Sequence, residues 1–309
     1  MQLSQANFAQ AVHFINTAAR RLDQLIFAYH FQDGSAEAVL DELARYQNED
    51  GGFGRALEPD FRLESSSPLA STVALQIIQA LPKPVGQPMV NRAIGYLLTA
   101  FDDHRGYWPA VPEAINQVPH APWWTFDPAK GGAAPETPAN PSAEVVGYLH
   151  IYPHQVRPDF LALVTERVIA YLADHAPSLS MFELRCYQRL VKALPQPERE
   201  QVAGHLQSAI LNLVEPDPAA WAGYVAQPLE FVHSPQSPLY QPLRQAVEAN
   251  LDYTIEAQVE DGSWPPKWSW GEDYSETWPT ARQEWAGHLT VETLTILKAF
   301  GRLEAPSIS

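Results

Sequence analysis

Apolar residues recur along the chain at the three- and four-residue steps of amphipathic helices. Between residues 4 and 31 they begin at Phe8, Val12 and Ile15 and keep this rhythm, which predicts one long helix with a single apolar face. The segment 69–81 has no charged residue, and a helix that is apolar nearly all round is typically buried. The same periodicity predicts further helices at residues 36–47, 88–101, 142–152, 159–174, 179–194, 198–214, 240–258 and 281–302.

Two stretches interrupt the helical pattern. Residues 102–140 are irregular and rich in proline and tryptophan. A loop of this length inside a compact domain is usually functional, and its aromatic content argues against disorder. Residues 215–239 are broken by repeated prolines, which predicts a short or distorted helical element there.

A short motif, Gln-x3-Gly-x-aromatic, closes two of the predicted helices. Its two clear copies are Gln47–Phe53 and Gln258–Trp264, and Asp102–Trp108 is a looser copy with Asp in place of Gln. Glycine permits a turn with positive φ, and the aromatic ring can fold back onto the preceding helix. The Gln amide can tie the turn to the end of a neighbouring helix. Starts at residues 47, 102 and 258 fit a period of about 50 residues, the size of one helix pair.

These motif copies resemble the QW-type repeats of the terpenoid cyclases and protein prenyltransferases. The whole chain also resembles a bacterial group of squalene-cyclase-like proteins. The resemblance implies an all-α fold of the α/α toroid type, a ring of about six inner and six outer helices. It further implies a single domain over residues 1–309, a central cavity that holds the site, and a loop at 102–140 that covers one mouth of the ring.

Composition narrows the classes of partner. The net charge of −16 argues against binding to nucleic acid or to an anionic membrane surface. The single cysteine, Cys186, excludes an intrachain disulfide and suits a reducing compartment. We find no signal-peptide pattern and no run of 18 apolar residues, so we expect no transmembrane segment and a cytoplasmic location.

The first candidate site is the acidic loop before segment 69–81. It contains Glu58, Asp60 and Arg62. A carboxylic acid here can donate a proton to a substrate, and Arg62 can tune its pKa and contact the substrate. The alternative is a solvated loop whose ion pair contributes little.

The second candidate lies in the irregular segment, where His120 is followed by Trp123 and Trp124. Proline-stiffened tryptophans beside a histidine make a rigid apolar wall with one titratable group. Aromatic faces stabilise cations, as a carbocation cyclase requires. The alternative is that these rings anchor the loop by packing.

The third candidate comprises Glu183, Cys186 and Tyr187, on a predicted inner helix. Charged groups there need partners or a water-filled cavity. Arg185-Cys186-Tyr187 faintly resembles the zinc-binding Asp-x-Cys-Tyr stretch of protein prenyltransferases, and His288 resembles their zinc histidine in position. The Asp position of that motif is Leu184 here, so we predict no metal ion, and a buried thiol with a core histidine is the alternative.

Aromatic and polar side chains complete the predicted substrate-binding set. Glu284 and His288 share a helix face and can form a hydrogen bond. The predicted catalytic residues are Asp60, Glu58, Glu183 and His120. The predicted substrate-binding residues are Arg62, Trp123, Trp124, Tyr187, Trp221, Trp285 and His288.

The Asp-x-Asp-Asp-Thr motif of class II terpene cyclases is missing, and the nearest match, Pro68–Thr72, keeps only the threonine. Our leading hypothesis is therefore a cyclase-like enzyme that acts on an isoprenoid or another small apolar molecule by acid catalysis from a different carboxyl group. It needs no cofactor. A carbohydrate-active enzyme, either a glycoside hydrolase or a lyase, is the first alternative. A non-catalytic binding protein is the second alternative.

Overall fold

The computed structural model describes residues 1–83, 86–129, 132–133 and 137–305. These ranges are mostly helical, which confirms the prediction of an all-α protein. One two-stranded antiparallel pair is present in them, β1 (Phe126–Asp127) with β2 (Gly132–Ala133). The helices are α1 (Gln5–Ala18), α2 (Arg21–Phe31), α3 (Ala36–Leu43), α4 (Pro68–Gln79), α5 (Gln87–Thr99), α6 (Ser142–Ile151), α7 (Pro158–His175), α8 (Met181–Ala193), α9 (Gln196–Leu213), α10 (Tyr240–Glu256) and α11 (Trp278–Ala299).

The prediction of one long helix over residues 4–31 is wrong. The chain leaves the helical conformation at Ala19 and Arg20, whose ψ angles are 158° and 151°. Arg20 then donates to Asp23, and the Gln24 side chain donates to the carbonyl of Ala19 at 3.1 Å. No glycine or proline marks the break, and the apolar residues keep their helical spacing across it. The sequence pattern therefore gave no sign that the helix ends here. The stretch 215–239 contains only the short 3₁₀ turns Pro218–Ala220 and Pro228–Glu230, as its prolines predict. In the stretch 102–140, residues 130–131 and 134–136 lie outside the described ranges, and the described part contains two 3₁₀ turns and the β1–β2 pair.

Serine side chains begin four of the helices. Ser4, Ser35, Ser67 and Ser180 each accept a hydrogen bond from a backbone N–H in the first turn. In α8 the Glu183 carboxylate completes the arrangement by accepting from the backbone N–H of Ser180 at 2.8 Å. Such a capping box satisfies donors that the helix leaves unpaired.

The chain divides into two compact units. Unit 1 comprises Met1–Val39, Leu213–Gly271 and the chain from Ser275 onward. Unit 2 comprises Leu40–Asn212 together with Glu272–Tyr274. A single domain over residues 1–309 stays a prediction.

The core of unit 2 is built on α4, α6 and α8. The predicted burial of the uncharged segment is confirmed, because Ala70, Ala74 and Leu75 of α4 are fully buried. Gly147 lets α6 approach α8 closely, since a Cβ atom there would lie 3.1 Å from the Cα of Leu190. Apolar burial of this kind contributes about 25 cal/mol per Å².

The core of unit 1 joins both ends of the chain. Helices α1, α2 and α11 pack on one another, and Gly287 of α11 lies so close to Ala19 that an added Cβ would be 2.8 Å from the Ala19 Cβ. The backbone of Leu3 pairs with the chain at Leu303. Across the described parts of both units, no helix is long and apolar enough to cross a membrane.

The motif turns have the predicted geometry. Gly51, Gly106 and Gly262 have φ angles of +93°, +79° and +89°, which side-chain-bearing residues rarely adopt. In unit 2, the Gln47 amide donates to the carbonyls of Gly51 and Met89. In unit 1, the Gln258 amide donates to Gly262 and to Asn7 of α1, both at 2.9 Å. Each amide therefore ties its turn to the first turn of another helix.

The aromatic residue of each copy also has a fixed partner. The backbone N–H of Phe53, Trp108 and Trp264 donates to a hydroxyl of Ser71, Ser142 or Thr290 respectively. The indole N–H of Trp108 donates to Leu97 in the preceding helix, and that of Trp264 donates to Thr254. The rings therefore fold back onto the preceding helices, as predicted.

The looser copy substitutes a different set of bonds. The Asp102 side chain has no N–H to donate, and its carboxylate instead accepts from the backbone N–H groups of His104 and Arg105. The neighbouring helix supplies the missing donor, because Arg167 of α7 donates to the Gly106 carbonyl at 3.2 Å. The glycine carbonyl accepts a side-chain hydrogen bond in all three copies, and in the looser copy the donor comes from another helix.

Candidate functional site

The first two predicted clusters meet in unit 2. The loop segment 58–62 runs antiparallel beside the segment 118–125, with Phe61 opposite His120. The backbone N–H of Arg62 donates to Pro119 at 2.9 Å, and that of Ala121 donates to Asp60 at 2.7 Å. Two separate stretches of sequence therefore form one site.

This pairing separates Asp60 from His120. Side chains directly opposite each other in an antiparallel pair share a face, and successive side chains alternate. His120 therefore lies on the face of Phe61, and Asp60 lies on the other. Asp60 and Glu58 are nearly fully buried, and a Glu58 oxygen accepts from the backbone N–H of Asp60 at 2.7 Å. The carboxyls and His120 are neighbours but do not form a catalytic dyad.

His120 is held in one orientation. Its Nδ1 lies 2.7 Å from the carbonyl oxygen of Val118 and its Nε2 lies 3.1 Å from the Thr125 hydroxyl. A carbonyl oxygen can only accept, so Nδ1 carries hydrogen and the Nε2 of the neutral ring accepts. Both ring nitrogens therefore have partners, which hold the imidazole in place.

His120 borders a polar cavity of about 360 Å³, which we call the His120 pocket. It is lined by Asn116, His120, Pro122, Thr125, Asp273 and Tyr274. The Tyr274 ring lies 5.4 Å from the imidazole, and Tyr274 has a φ of +50°. A left-handed tyrosine is uncommon, and such backbone strain concentrates at functional sites.

The two predicted tryptophans differ in their surroundings. Trp123 follows the pocket residue Pro122 and is 38% exposed. Trp124 packs edge-on against Phe61 with the ring centroids 6.2 Å apart. The Trp124 indole nitrogen is buried, with no hydrogen-bond partner among the described residues. Trp123 is open to solvent, whereas Trp124 packs in the protein beside Phe61.

A buried polar cluster between α6 and α8 was not predicted. The Glu144 carboxylate accepts from Arg189 at 3.1 Å and from the Tyr148 hydroxyl at 2.6 Å. Burial, and then the Glu144 charge, raise the pKa of Tyr148. Arg189 also donates to Gln76 of α4, so the cluster joins three helices. The sequence carried one signal of this cluster, which is the acidic residue of Ser-Ala-Glu at the start of a nearly apolar helix. A buried carboxylate requires a partner.

The third predicted cluster has structural partners. The two oxygens of Glu183 accept from the Ser180 cap and from the Thr137 hydroxyl. Tyr187 is fully buried and donates to the carbonyl of Val168. Cys186 lies 3.8 Å from Glu144, and burial raises the pKa of its thiol far above the ordinary value. A buried, protonated thiol is a poor nucleophile and a poor metal ligand.

The remaining predicted residues belong to unit 1. Trp221 is fully buried and its indole N–H donates to Glu215, so its ring offers no surface to a ligand. The Nδ1 of His288 lies 4.0 Å from the buried Asp23 carboxylate, and that pairing was not anticipated. Trp285 packs edge-on against both Trp268 and His288. In the described part of the chain, no three His, Cys, Asp or Glu side chains are placed to hold a metal ion.

Comparison of the chain with protein-family models, with curated proteins and with solved structures finds no match. Function is therefore inferred from the chemistry of the site.

Proposed function

We propose that the protein is a carbohydrate-active enzyme whose active site is the His120 pocket. The observation that carries this proposal is the placement of His120, whose Nδ1 is bound to a carbonyl and whose Nε2 bonds to Thr125, with both residues on the wall of a polar cavity. Asp273 on the same pocket wall is a second group able to transfer protons. Cleavage of a glycosidic bond requires such an acid and base.

The size and lining of the pocket support a small hydroxylated substrate. Its volume of about 360 Å³ is near the lower end of the range of about 300–1,000 Å³ typical of ligand pockets. An imidazole, a hydroxyl, a carboxylate and a phenol line it, and each can bond to a sugar hydroxyl. The exposed faces of Trp123 and Tyr274 suit the flat apolar side of a sugar ring.

Assays on a panel of nitrophenyl glycosides and neutral polysaccharides test the proposal. Release of reducing ends reports hydrolysis, and ultraviolet absorbance of unsaturated products reports elimination. The substitution His120→Asn is expected to lower kcat/KM by about 10²–10⁴, the usual contribution of general acid–base catalysis. His104→Asn, an exposed position in the same segment, is the matched control. Activity of the His120 variant within tenfold of the parent, or no turnover of any glycoside, would overturn the proposal.

A cyclase-like enzyme is a second candidate, because a different observation favours it. Glu58 and Asp60 are buried in the same loop as Phe61, whose ring packs against Trp124. A carboxyl group in such surroundings can act as an acid towards an alkene. If this candidate is right, an isoprenoid is converted to a cyclic product, detected by gas chromatography and mass spectrometry. Asp60→Asn would abolish the conversion and His120→Asn would not.

We also propose that the helices form an α/α toroid. Support comes from Gln258, which bonds to α1 in the way that Gln47 bonds to α5. The Gln47 turn is bonded to a helix that follows it in the sequence, whereas the Gln258 turn, near the end of the chain, is bonded to the first helix. A closed ring of repeats would bring the last repeat next to the first in this way. Small-angle X-ray scattering tests the idea, because a compact chain of 309 residues has a radius of gyration of about 19 Å. A clearly larger value would contradict it.

A further inference from the structure

Besides the His120 pocket of unit 2, a cavity in unit 1 has no role in the proposed chemistry. It is an open groove of about 990 Å³ between α1, the motif turn at Glu260–Ser263 and the start of α11. Ala6, Ala9 and His13 line it from α1, and Trp278 and Arg282 line it from α11. Its volume is at the upper end of the range for ligand pockets.

The equivalent turn in the first repeat is bonded to neighbouring parts of the chain. There, Asp50 of the turn accepts from the Ser66 hydroxyl at 2.7 Å, and Asn48 donates to the carbonyl of Glu64. Arg92 of α5 donates to the carbonyl of Asn48. The segment 64–66 therefore covers the first turn and satisfies its polar groups.

The last repeat lacks this cover. Asp261, the counterpart of Asp50, accepts from the backbone N–H of Ser263. The counterpart of Asn48 is Val259, whose side chain has no group that can form a hydrogen bond. The side chains of Gln10, His13, Glu260 and Arg282 have no hydrogen-bond or ion-pair partner within the described ranges. The same turn thus leaves a row of unused polar groups along an open groove.

The chemistry of these groups selects among ligands. Two acids and one arginine leave no strong excess of either charge, so the groove does not favour a phosphate or a polycation. Both long walls are helices whose backbone groups are bonded internally, so an extended peptide finds no strand edge to pair with. Amide, imidazole, carboxylate and guanidinium groups beside the Trp278 ring suit a neutral ligand with many hydroxyls.

We propose that this groove of unit 1 binds a neutral polysaccharide chain, separately from the His120 pocket. The identity of the ligand rests on the proposed carbohydrate function. The polar groups and Trp278 contribute by hydrogen bonding and ring stacking, without a covalent step.

Affinity electrophoresis through gels containing xylan, glucomannan or mixed-linkage β-glucan tests the groove directly. The variants Trp278→Ala and Arg282→Ala are expected to bind the retarding polymer at least about tenfold more weakly, a change of about 1.4 kcal/mol. Phe182→Ala removes an aromatic ring that is 44% exposed in unit 2 and serves as the matched control. Circular dichroism of each variant confirms folding, and the single Arg282 change keeps the test valid if Trp278 proves necessary for stability.

The outcomes separate this proposal from the previous one. Retardation that is lost in both groove variants and kept in His120→Asn supports the groove, even if no glycoside is turned over. Retardation that is unchanged in both groove variants overturns it. Loss of retardation in His120→Asn alone assigns binding to the pocket and overturns the groove, as does the absence of retardation by every polymer. Capture of a helical peptide by the groove instead of a polymer also overturns it.

Discussion

Replacement of Gly262 by alanine tests the contact between the last motif turn and the first helix. Gly262 has a φ of +89°, and a side chain in a left-handed conformation costs about 1–2 kcal/mol. The added Cβ would lie 2.4 Å from the carbonyl carbon of Gln10 and 2.5 Å from its oxygen. These atoms belong to the backbone of α1, so no side-chain rotation relieves the clash. We expect α1 to shift.

The shift weakens the hydrogen bond from Gln258 to Asn7, and such a bond contributes about 0.5–1.5 kcal/mol. The expected total loss for Gly262→Ala is therefore about 1.5–3.5 kcal/mol. Gly301→Ala isolates the backbone contribution, because Gly301 has a φ of +64° and an added Cβ meets nothing within 4 Å. It should lose only about 1–2 kcal/mol.

Urea unfolding followed by far-ultraviolet circular dichroism measures both losses. Gly51→Ala repeats the test in unit 2, where the Cβ would lie 2.5 Å from the carbonyl oxygen of Arg92. If Gly262→Ala were no more destabilising than Gly301→Ala, the inferred close contact between turn and helix would be refuted.

Three further predictions concern stability and reactivity. Glu144→Gln removes the charge that pairs with Arg189 and should lower the free energy of unfolding by about 2 kcal/mol. This loss is smaller than for a fully buried pair, because Arg189 is 28% exposed. Asp159→Asn, in an exposed pair, should change the free energy of unfolding by less than about 0.5 kcal/mol, and equal losses in the two variants would contradict a stabilising role for the cluster. The pKa of Glu248 is lowered by hydrogen bonds from Tyr240 and Arg302, and at Asp252 burial is outweighed by the amino terminus and Arg302, so that its pKa also falls. Because the folded pKa values lie below the ordinary 4.5 and 3.8, this stabilisation is complete above pH 4.5 and is lost as the pH falls through the lower values. The difference in free energy of unfolding between the parent and Arg302→Gln, measured by urea unfolding from pH 7 to pH 3, should therefore shrink in acid. A difference that stays constant with pH would refute the assignment. Burial and the raised pKa of the Cys186 thiol predict that a thiol reagent labels it only after unfolding in urea; labelling of the folded protein at the rate of a free thiol would show that the residue is accessible.

The candidate site was predictable in part. His120 stood out because a histidine beside tryptophans in a proline-rich segment is unusual, and Asp60 stood out as an acid before a buried helix. Their meeting was not predictable, because it depends on backbone pairing between segments that are separate in the sequence. Tyr274 contacts His120 from farther along the chain, and no local pattern marks it.

The sequence by itself determined the helices and the motif turns. Helix formation depends on apolar periodicity over neighbouring residues, and the turns depend on a glycine, a side-chain donor and an aromatic ring placed within seven positions. Only the tertiary structure decided the break at Ala19 and the pairing of Glu144 with Arg189. It also decided that one motif turn is covered by the chain while another lines an open groove. These outcomes depend on which distant residue satisfies a buried polar group or fills a space, and local spacing carries no information about that partner.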